Sequence, residues 1–306
     1  MVRPRAWLLN FDADEELARP AGYTPSAAVA ARARALAARV GPLLGPEDLL
    51  LEEPATGGAA GRVGLAWCPT PRALRVLRKA GAEPALSPGL EILRRVNHRR
   101  FCAELGQTLP GARYVDTLAE LEAVIAGSSP TGQWLLKRPF GFAGRGRLKI
   151  PAGTLDATAR SWAAAALATR ATRATQATQA TGEGLQVEPW VERRGDFSQH
   201  GFVDPGGGVV IGAACAQVCD ARGAWGETRR AEAGELDREE GARLAGAARE
   251  AGQALAAGGY FGPFGIDAFR WEDAGGEVRF NARCEINARY TMGWAAGMGD
   301  LRPDLA

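Results

Sequence analysis

Histidine is almost missing from this chain: His98 and His200 are the only two in 306 residues. A mechanism built on a nucleophile, a histidine base and an orienting carboxylate has almost nothing to draw on, which argues against serine-hydrolase chemistry. Cysteine is sparse as well. Cys68, Cys102, Cys215, Cys219 and Cys284 are scattered and odd in number, so a disulfide framework is not expected. Cys215 and Cys219 have three residues between them, and neither a second pair nor a nearby histidine completes a tetrahedral zinc site. No apolar run approaches the roughly 20 residues that span a bilayer, and Met1-Val2-Arg3-Pro4-Arg5 lacks the apolar stretch of a signal peptide. The expectation is a cytoplasmic protein with no membrane partner. Charge of one sign is not in excess either: 37 Lys and Arg face 35 Asp and Glu, and no basic tail or stripe is present to attract nucleic acid.

The composition that remains, 46% hydrophobic and 24% charged, is enough to bury a sizeable core in two or three packed lobes. The first ninety or so residues alternate strand and helix. An apolar run at Ala6 to Phe11 precedes a helical stretch from Ser26, a natural N-cap, to about Leu44. Leu49 to Leu51 and Val63 to Trp67 read as buried strands, and Thr70 caps a helix carrying Leu74, Val76 and Leu77. Such alternation predicts an open parallel α/β sheet.

The rest is mixed α+β. Two helical segments between Val96 and Ile125 flank a break at Leu109-Pro110-Gly111, and a strand runs from Trp134 to Lys137. Residues 157 to 181 are an Ala-Thr-rich, low-complexity stretch suited to a surface helix that frays before Gly182, with no function assigned. A strand from Leu185 to Val191 leads to a hairpin turning at Asp204 to Gly208, with Val209 to Ile211 on its return arm. Leu244, Ala248, Ala251 and Leu255 mark an amphipathic helix over 237 to 257, and a last hairpin pairs Phe264 to Trp271 with Val278 to Asn287.

Three constellations carry chemistry. In the first, Lys137 ends a buried strand and opens a glycine-rich segment with Gly141, Gly144 and Gly146. Backbone N–H groups in such a segment can cradle phosphate oxygens, and a plain glycine-rich hairpin turn is the alternative. No Gly-Lys-Ser/Thr follows, so it is not a Walker loop, and the glycine order does not fit a dinucleotide fingerprint. In the second, strand alternation from Arg283 to Arg289 puts Arg283, Glu285, Asn287 and Arg289 on one face. A carboxylate beside an amide oxygen suits Mg²⁺, and arginines suit phosphates; a solvated edge strand is the alternative. Asp267 adds a second carboxylate. With a turn centred near Gly275 it lies opposite Arg283 and one diagonal step, roughly 7 Å, from Glu285. The third is Glu188-Pro189-Trp190-Val191-Glu192 with Asp196, a strand end able to read an adenine edge and a ribose.

In this order the three pieces resemble the ATP-grasp superfamily, of the carboxylate-amine ligase type, from about residue 95 to the C-terminus. The resemblance implies a pre-ATP-grasp α/β domain at 1–92, a small lobe with the glycine-rich loop at 93–184 and a C-terminal lobe with the metal site at 185–306. It implies ATP and Mg²⁺ as cofactors. Lys137 would contact the α- and β-phosphates, Glu188 and the Val191 backbone would hold adenine beside Trp190, and Asp196 would take the ribose. Asp267, Glu285 and Asn287 would hold Mg²⁺, and Arg289 would steady the transferred phosphoryl group. Where the family usually has a further lysine, Asn97-His98-Arg99-Arg100 offers Arg99, with Arg100 as the alternative. The interval of 18 residues from Asp267 to Glu285 is longer than usual. The expected reaction activates a small carboxylic acid as an acyl phosphate and joins it to an amine. Alternatives of the same fold are a small-molecule kinase, activation of bicarbonate, and a catalytically silent nucleotide-binding protein. Arg229 and Arg230 are candidates for the substrate carboxylate or a solvated pair. Small-molecule acid and amine are the expected partners, with self-association left open.

Overall fold

The computed structural model of the chain describes residues 3–40, 43–106, 108–141, 146–167, 183–219 and 225–305. The first apolar run becomes β1 (Arg5–Leu8), buried along its whole length as a central parallel strand must be. An acidic helix not apparent from periodicity, α1 (Ala13–Ala18), comes next, and then α2 (Ala27–Ala37), where the Ser26 hydroxyl accepts the Val29 N–H at 3.3 Å. β2 (Leu49–Leu51), β3 (Val63–Ala66), α3 (Pro71–Lys79) and β4 (Glu83–Pro84) complete the first layer. Thr70 caps α3, and Pro71 takes the first helical turn, where its missing N–H costs nothing. The strands form the expected parallel sheet, in the order β2-β1-β3-β4.

The next stretch holds α4 (Leu90–Asn97), α5 (Arg99–Glu104), β5 (Arg113–Val115), α6 (Leu118–Ala126), β6 (Gln133–Lys137), β7 (Arg147–Pro151), α7 (Ala157–Leu167) and β8 (Leu185–Pro189). The break at Leu109 to Gly111 therefore leads into a strand before the second helix begins. An antiparallel sheet, β5-β8-β6-β7, results. β6 and β7 pair as a hairpin with Lys137 opposite Arg147, so the glycine-rich segment is a hairpin connection. Gly144 in that connection, and the low-complexity residues 168–182, lie outside the described residues.

The third sheet is antiparallel, in the order β11-β10-β9-β12-β13. It comprises β9 (Glu192–Val203), β10 (Val209–Cys219), β11 (Trp225–Arg230), β12 (Gly262–Glu272) and β13 (Val278–Asn287). α8 (Arg238–Ala257) packs on it through Leu244, Ala248, Ala251 and Leu255, and the short α9 (Trp294–Met298) also packs against its strands. Gly252 permits close approach: a Cβ there would stand 2.5 Å from Val209 Cγ1. Trp7, Leu9 and Phe11 share one core with Phe264, Ile286 and the buried face of α8. The middle sheet has a core of its own, around Leu121, Ile125, Trp134, Leu136 and Val187.

One expected register is corrected. The β12–β13 turn does centre on Gly275, with Glu272 opposite Val278, but beyond Phe269–Asn281 the ladder slips and Asp267 faces Glu285 directly. Two residue steps of β12 there face four of β13. Asn281 Oδ1 accepts the Arg283 N–H at 3.3 Å within the irregularity, the kind of local side-chain bond that competes with a ladder. Arg283 is thereby turned away from Glu285. Its guanidinium reaches Glu250 on α8 at 2.7 Å and the Leu105 carbonyl at 2.7 Å.

Candidate active site

A cavity of about 1110 Å³ opens between the middle and the third sheets. Arg99, Lys137, Gly141, Gly146, Glu188, Trp190, Val191, Asp196, Asp267, Glu285, Asn287 and Arg289 all line it, as does Arg229. These positions span nearly two hundred residues of sequence and are brought together by the β6–β7 hairpin, the β8–β9 crossing and the β12–β13 ladder, with Arg99 added from the start of α5 and Arg229 from β11. Gly146, at the base of the glycine-rich segment, has φ +74°, and its carbonyl accepts the Arg138 N–H at 2.7 Å.

On the wall from the middle sheet, Lys137 sits opposite Gln186, so Glu188 is its diagonal neighbour on the same face. Lys137 Nζ and Glu188 Oε1 form a buried ion pair. Glu188 is only 3% exposed, and its second oxygen, Oε2, has no hydrogen-bond partner among the described residues. A buried carboxylate oxygen on a cavity wall is a receptor for an N–H donor. Trp190 is committed through its backbone: its N–H donates to the Gln133 carbonyl at 3.0 Å and its carbonyl accepts from the Thr131 hydroxyl. Its ring carries the Lys149 ammonium 4.4 Å from the centroid. Asp196 pairs with Arg193 at 2.7 Å, and Arg193 stacks 4.0 Å over Phe269.

The opposite wall is acidic. Asp267 and Glu285 face each other across the ladder, and both Asp267 oxygens are held by amides, Gln217 Nε2 at 2.8 Å and Asn287 Nδ2 at 3.3 Å. Burial first, and then the Glu285 carboxylate, push Asp267 up to about 6 against the Gln217 hydrogen bond. For Glu285 burial works upward too, but Arg99, followed by Lys137, holds it below its ordinary range. Asn287 Oδ1 accepts from Arg289 Nη2 at 2.9 Å, and the same nitrogen pairs with Asp14 of α1 at 2.9 Å. Among the described residues no group of three or more His, Cys, Asp and Glu side chains gathers to hold a metal alone. Two facing carboxylates and an amide are nevertheless hard oxygen donors, and Mg²⁺ characteristically takes one or two carboxylates and completes its shell with phosphate and water. The donor set fits that ion.

Arg100 and Arg230 fall outside the cavity, and Arg229 lines it with its guanidinium already paired. Arg100 pairs with Asp116 and stacks on Tyr114, away from the cavity. Arg229 makes a bidentate pair with Glu235 at 2.7 and 2.6 Å, and Arg230 donates to the Ala296 carbonyl at 3.0 Å. Neither histidine lines the cavity. His200 is buried between the Ser198 and Thr291 hydroxyls, and burial drives it down to about 3; burial, with Arg100, takes His98 down to about 4. Gln217 and Asp14 are the contacts that the sequence does not reveal. Asp14 stands in an acidic run after the first strand, but nothing local couples it to an arginine 275 positions away.

No protein-family model matches the chain, and no curated protein matches it in sequence. Solved structures do. Carboxyaminoimidazole ribonucleotide synthase from Aspergillus clavatus, complexed with ATP, aligns with a TM-score of 0.50 at 15% identity, over 95% of this chain and 72% of its own. D-alanyl-alanine synthetase A from Vibrio cholerae aligns at 0.50 and 13% identity, over 94% of this chain and 89% of its own. Pyruvate carboxylase from Rhizobium etli aligns at 0.51 and 17% identity, over 94% of this chain but 26% of its own.

The chain has the ATP-grasp fold. At these identities the likeness concerns the fold, and the chemistry has to be argued from the cavity. Within the ATP-grasp architecture the expected parallel first layer and the two antiparallel sheets are all present.

Proposed function

We propose that the chain binds ATP with Mg²⁺ in this cavity and activates a small carboxylic acid as an acyl phosphate for ligation to an amine. One observation carries the reading: a buried Lys137–Glu188 pair with an open carboxylate oxygen stands on one wall, and the facing Asp267–Glu285 carboxylates stand on the other, in a single cavity. Glu188 Oε2 is suited to accept a hydrogen bond from the adenine amino group, and Lys137 would reach the α- and β-phosphates. Val191, whose backbone makes no backbone hydrogen bond among the described residues, would meet the ring edge. Asp196 is the candidate for the ribose hydroxyls. The β6–β7 connection, through Gly141 and Gly146, supplies backbone N–H groups for phosphate. Asp267, Glu285 and Asn287 would hold Mg²⁺, which when bound neutralises phosphate charge. In this reading residues 93–184 and 185–306 are the two lobes that enclose the nucleotide, and residues 1–92 precede them.

The chemistry asks for positioning and charge rather than a histidine base. An oxygen of the acid attacks the γ-phosphorus, and the bond to the bridging oxygen breaks with its electrons leaving on ADP. The amine nitrogen then attacks the acyl carbon, the carbon–oxygen bond to phosphate breaks, and the amine proton leaves with the phosphate. Arg289 is oriented by Asp14 and Asn287, and its Nε has no hydrogen-bond partner among the described residues, which suits it to the charge that develops on the transferred group. The test is release of ADP and phosphate from Mg-ATP when pooled acids and amines are supplied together, with ATP binding followed by calorimetry. Glu285→Ala is expected to lower this turnover by at least about 10²-fold. Unchanged turnover in that variant, or no ATP binding by the wild type, defeats the reading.

A further inference from the structure

Arg99 is the first residue of α5, and its guanidinium is engaged at two points that belong to different parts of the cavity. Nη1 stands 3.0 Å from Glu285 Oε1, and Nε donates to the Arg138 carbonyl at 3.0 Å, where the glycine-rich connection begins. The backbone N–H of Arg99 donates to the next carbonyl, that of Pro139, at 3.1 Å. The far end of the helix is tied as well, because the Leu105 carbonyl accepts from Arg283 at 2.7 Å. The backbone is thus fixed, and rotation of the side chain is the freedom left to Arg99. Its side chain is 13% exposed and that of Glu285 31%, so the pair is partly shielded from solvent screening.

Asp267 and Glu285 are not equivalent in this arrangement. Asp267 is held by two amides, whereas Glu285 is held by a full positive charge. A divalent cation that uses Glu285 Oε1 must displace that guanidinium or sit against it, and two cations on one carboxylate repel. Phosphate offers the guanidinium an alternative partner, since its planar fork fits phosphate as well as carboxylate. An ammonium, a single point charge on a flexible stem, would hold neither partner with the same geometry.

We propose that Arg99 is a specificity-determining residue of this site: it guards Glu285 against free divalent metal and yields it when nucleotide phosphates draw the guanidinium away, so that the site selects the metal–nucleotide complex over the bare metal. The proposal rests on the nucleotide reading above for its second half only. Metal and nucleotide then tighten each other's binding, and reciprocally by the same factor.

The experiment titrates Mn²⁺ into wild type, Arg99→Gln and Arg99→Lys, counting free Mn²⁺ by electron paramagnetic resonance, first without nucleotide and then with a non-hydrolysable ATP analogue. Without nucleotide, Arg99→Gln is expected to bind Mn²⁺ about tenfold more tightly than wild type, with Arg99→Lys between them. The analogue should then tighten Mn²⁺ in wild type by a larger factor than in Arg99→Gln. Thermal melts check folding, and if the glutamine variant does not fold, the lysine variant alone decides, by binding Mn²⁺ more tightly than wild type or not. Equal or weaker Mn²⁺ binding by the folded variants, or none by any form, overturns the proposal. Failure of the wild type to bind the analogue defeats the nucleotide reading instead, while the Mn²⁺-only comparison still judges Arg99.

Discussion

Burial and the facing Glu285 carboxylate push Asp267 up to about 6, from an ordinary carboxylate value of 3.8. A carboxyl group raised in the folded state holds its proton there after the unfolded chain has released it. Stability therefore falls as pH climbs from about 3.8 through about 6, and the cost is fully present above that. Two units correspond to about 2–3 kcal/mol as an upper order of magnitude. Asp267→Asn removes the charge at nearly the same volume, so it is expected to be more stable than wild type at pH 8, with the advantage shrinking toward pH 4. Urea unfolding at the two pH values measures this, and an advantage independent of pH would show that the charge is not its source. The gain is expected to come with weaker metal binding, the usual trade at a site whose charges are held close together for function. The sequence places both carboxylates on one strand pair but puts them a diagonal step apart. The difference lies in a hydrogen bond between Asn281 and the Arg283 backbone, which no pattern of residue types announces, and it also explains why Arg283 leaves the face that alternation assigns it.

At the scale of elements, legibility follows length and periodicity. Helix α8 is visible from Leu244, Ala248, Ala251 and Leu255, and its observed limits, Arg238–Ala257, fall within one residue of the expected span. Its start is encoded locally: the Asp237 carboxylate accepts the Glu240 N–H at 2.7 Å and Glu240 Oε2 accepts the Asp237 N–H at 3.1 Å, a reciprocal capping box. Asp237→Ala is expected to cost about 1 kcal/mol in chemical denaturation. Glu240 also pairs with Arg270 at 2.7 Å on β12, so Glu240→Ala should cost more than the cap alone, and a smaller loss there would mean that the cap, not the pair, fixes the helix. By contrast α1 has six residues, too few for a period to show, and β7 follows the glycine-rich segment so closely that its alternating Arg147-Leu148-Lys149-Ile150 reads as the tail of a loop. The turn at Trp190 is legible in composition only. Its backbone groups are bound to Gln133 and Thr131, contacts that depend on where β6 lies.

For the molecule as a whole, the division of the cores sets what can move. The first layer and the third sheet are fused, because Trp7, Leu9 and Phe11 pack into the same core as Phe264 and Ile286, and Asp14 is ion-paired with Arg289. The middle sheet packs mainly on its own core and meets the rest through a cluster of Leu109, Ala112 and Val191 against Phe269, Trp271 and Cys284, through Phe140, which enters the larger core, and through Arg99, bonded to the Arg138 and Pro139 carbonyls and paired with Glu285. A unit with a smaller, separate core opens at a lower free energy than the body it rests on. Backbone amides of β6 and β8 are therefore expected to exchange with deuterium faster than those of β9 and β12, although all four strands are internal to their sheets. A ligand that touches both Lys137–Glu188 and Asp267–Glu285 bridges the two units and binds the closed form best. Adding the Mg²⁺ complex of a non-hydrolysable ATP analogue should then slow exchange in β6 and β8 more than in β9 and β12, because a ligand stabilises most where the unliganded protein opens most easily. Uniform slowing in all four strands would mean that the cavity walls open as one body, and the middle sheet would then have no hinge of its own.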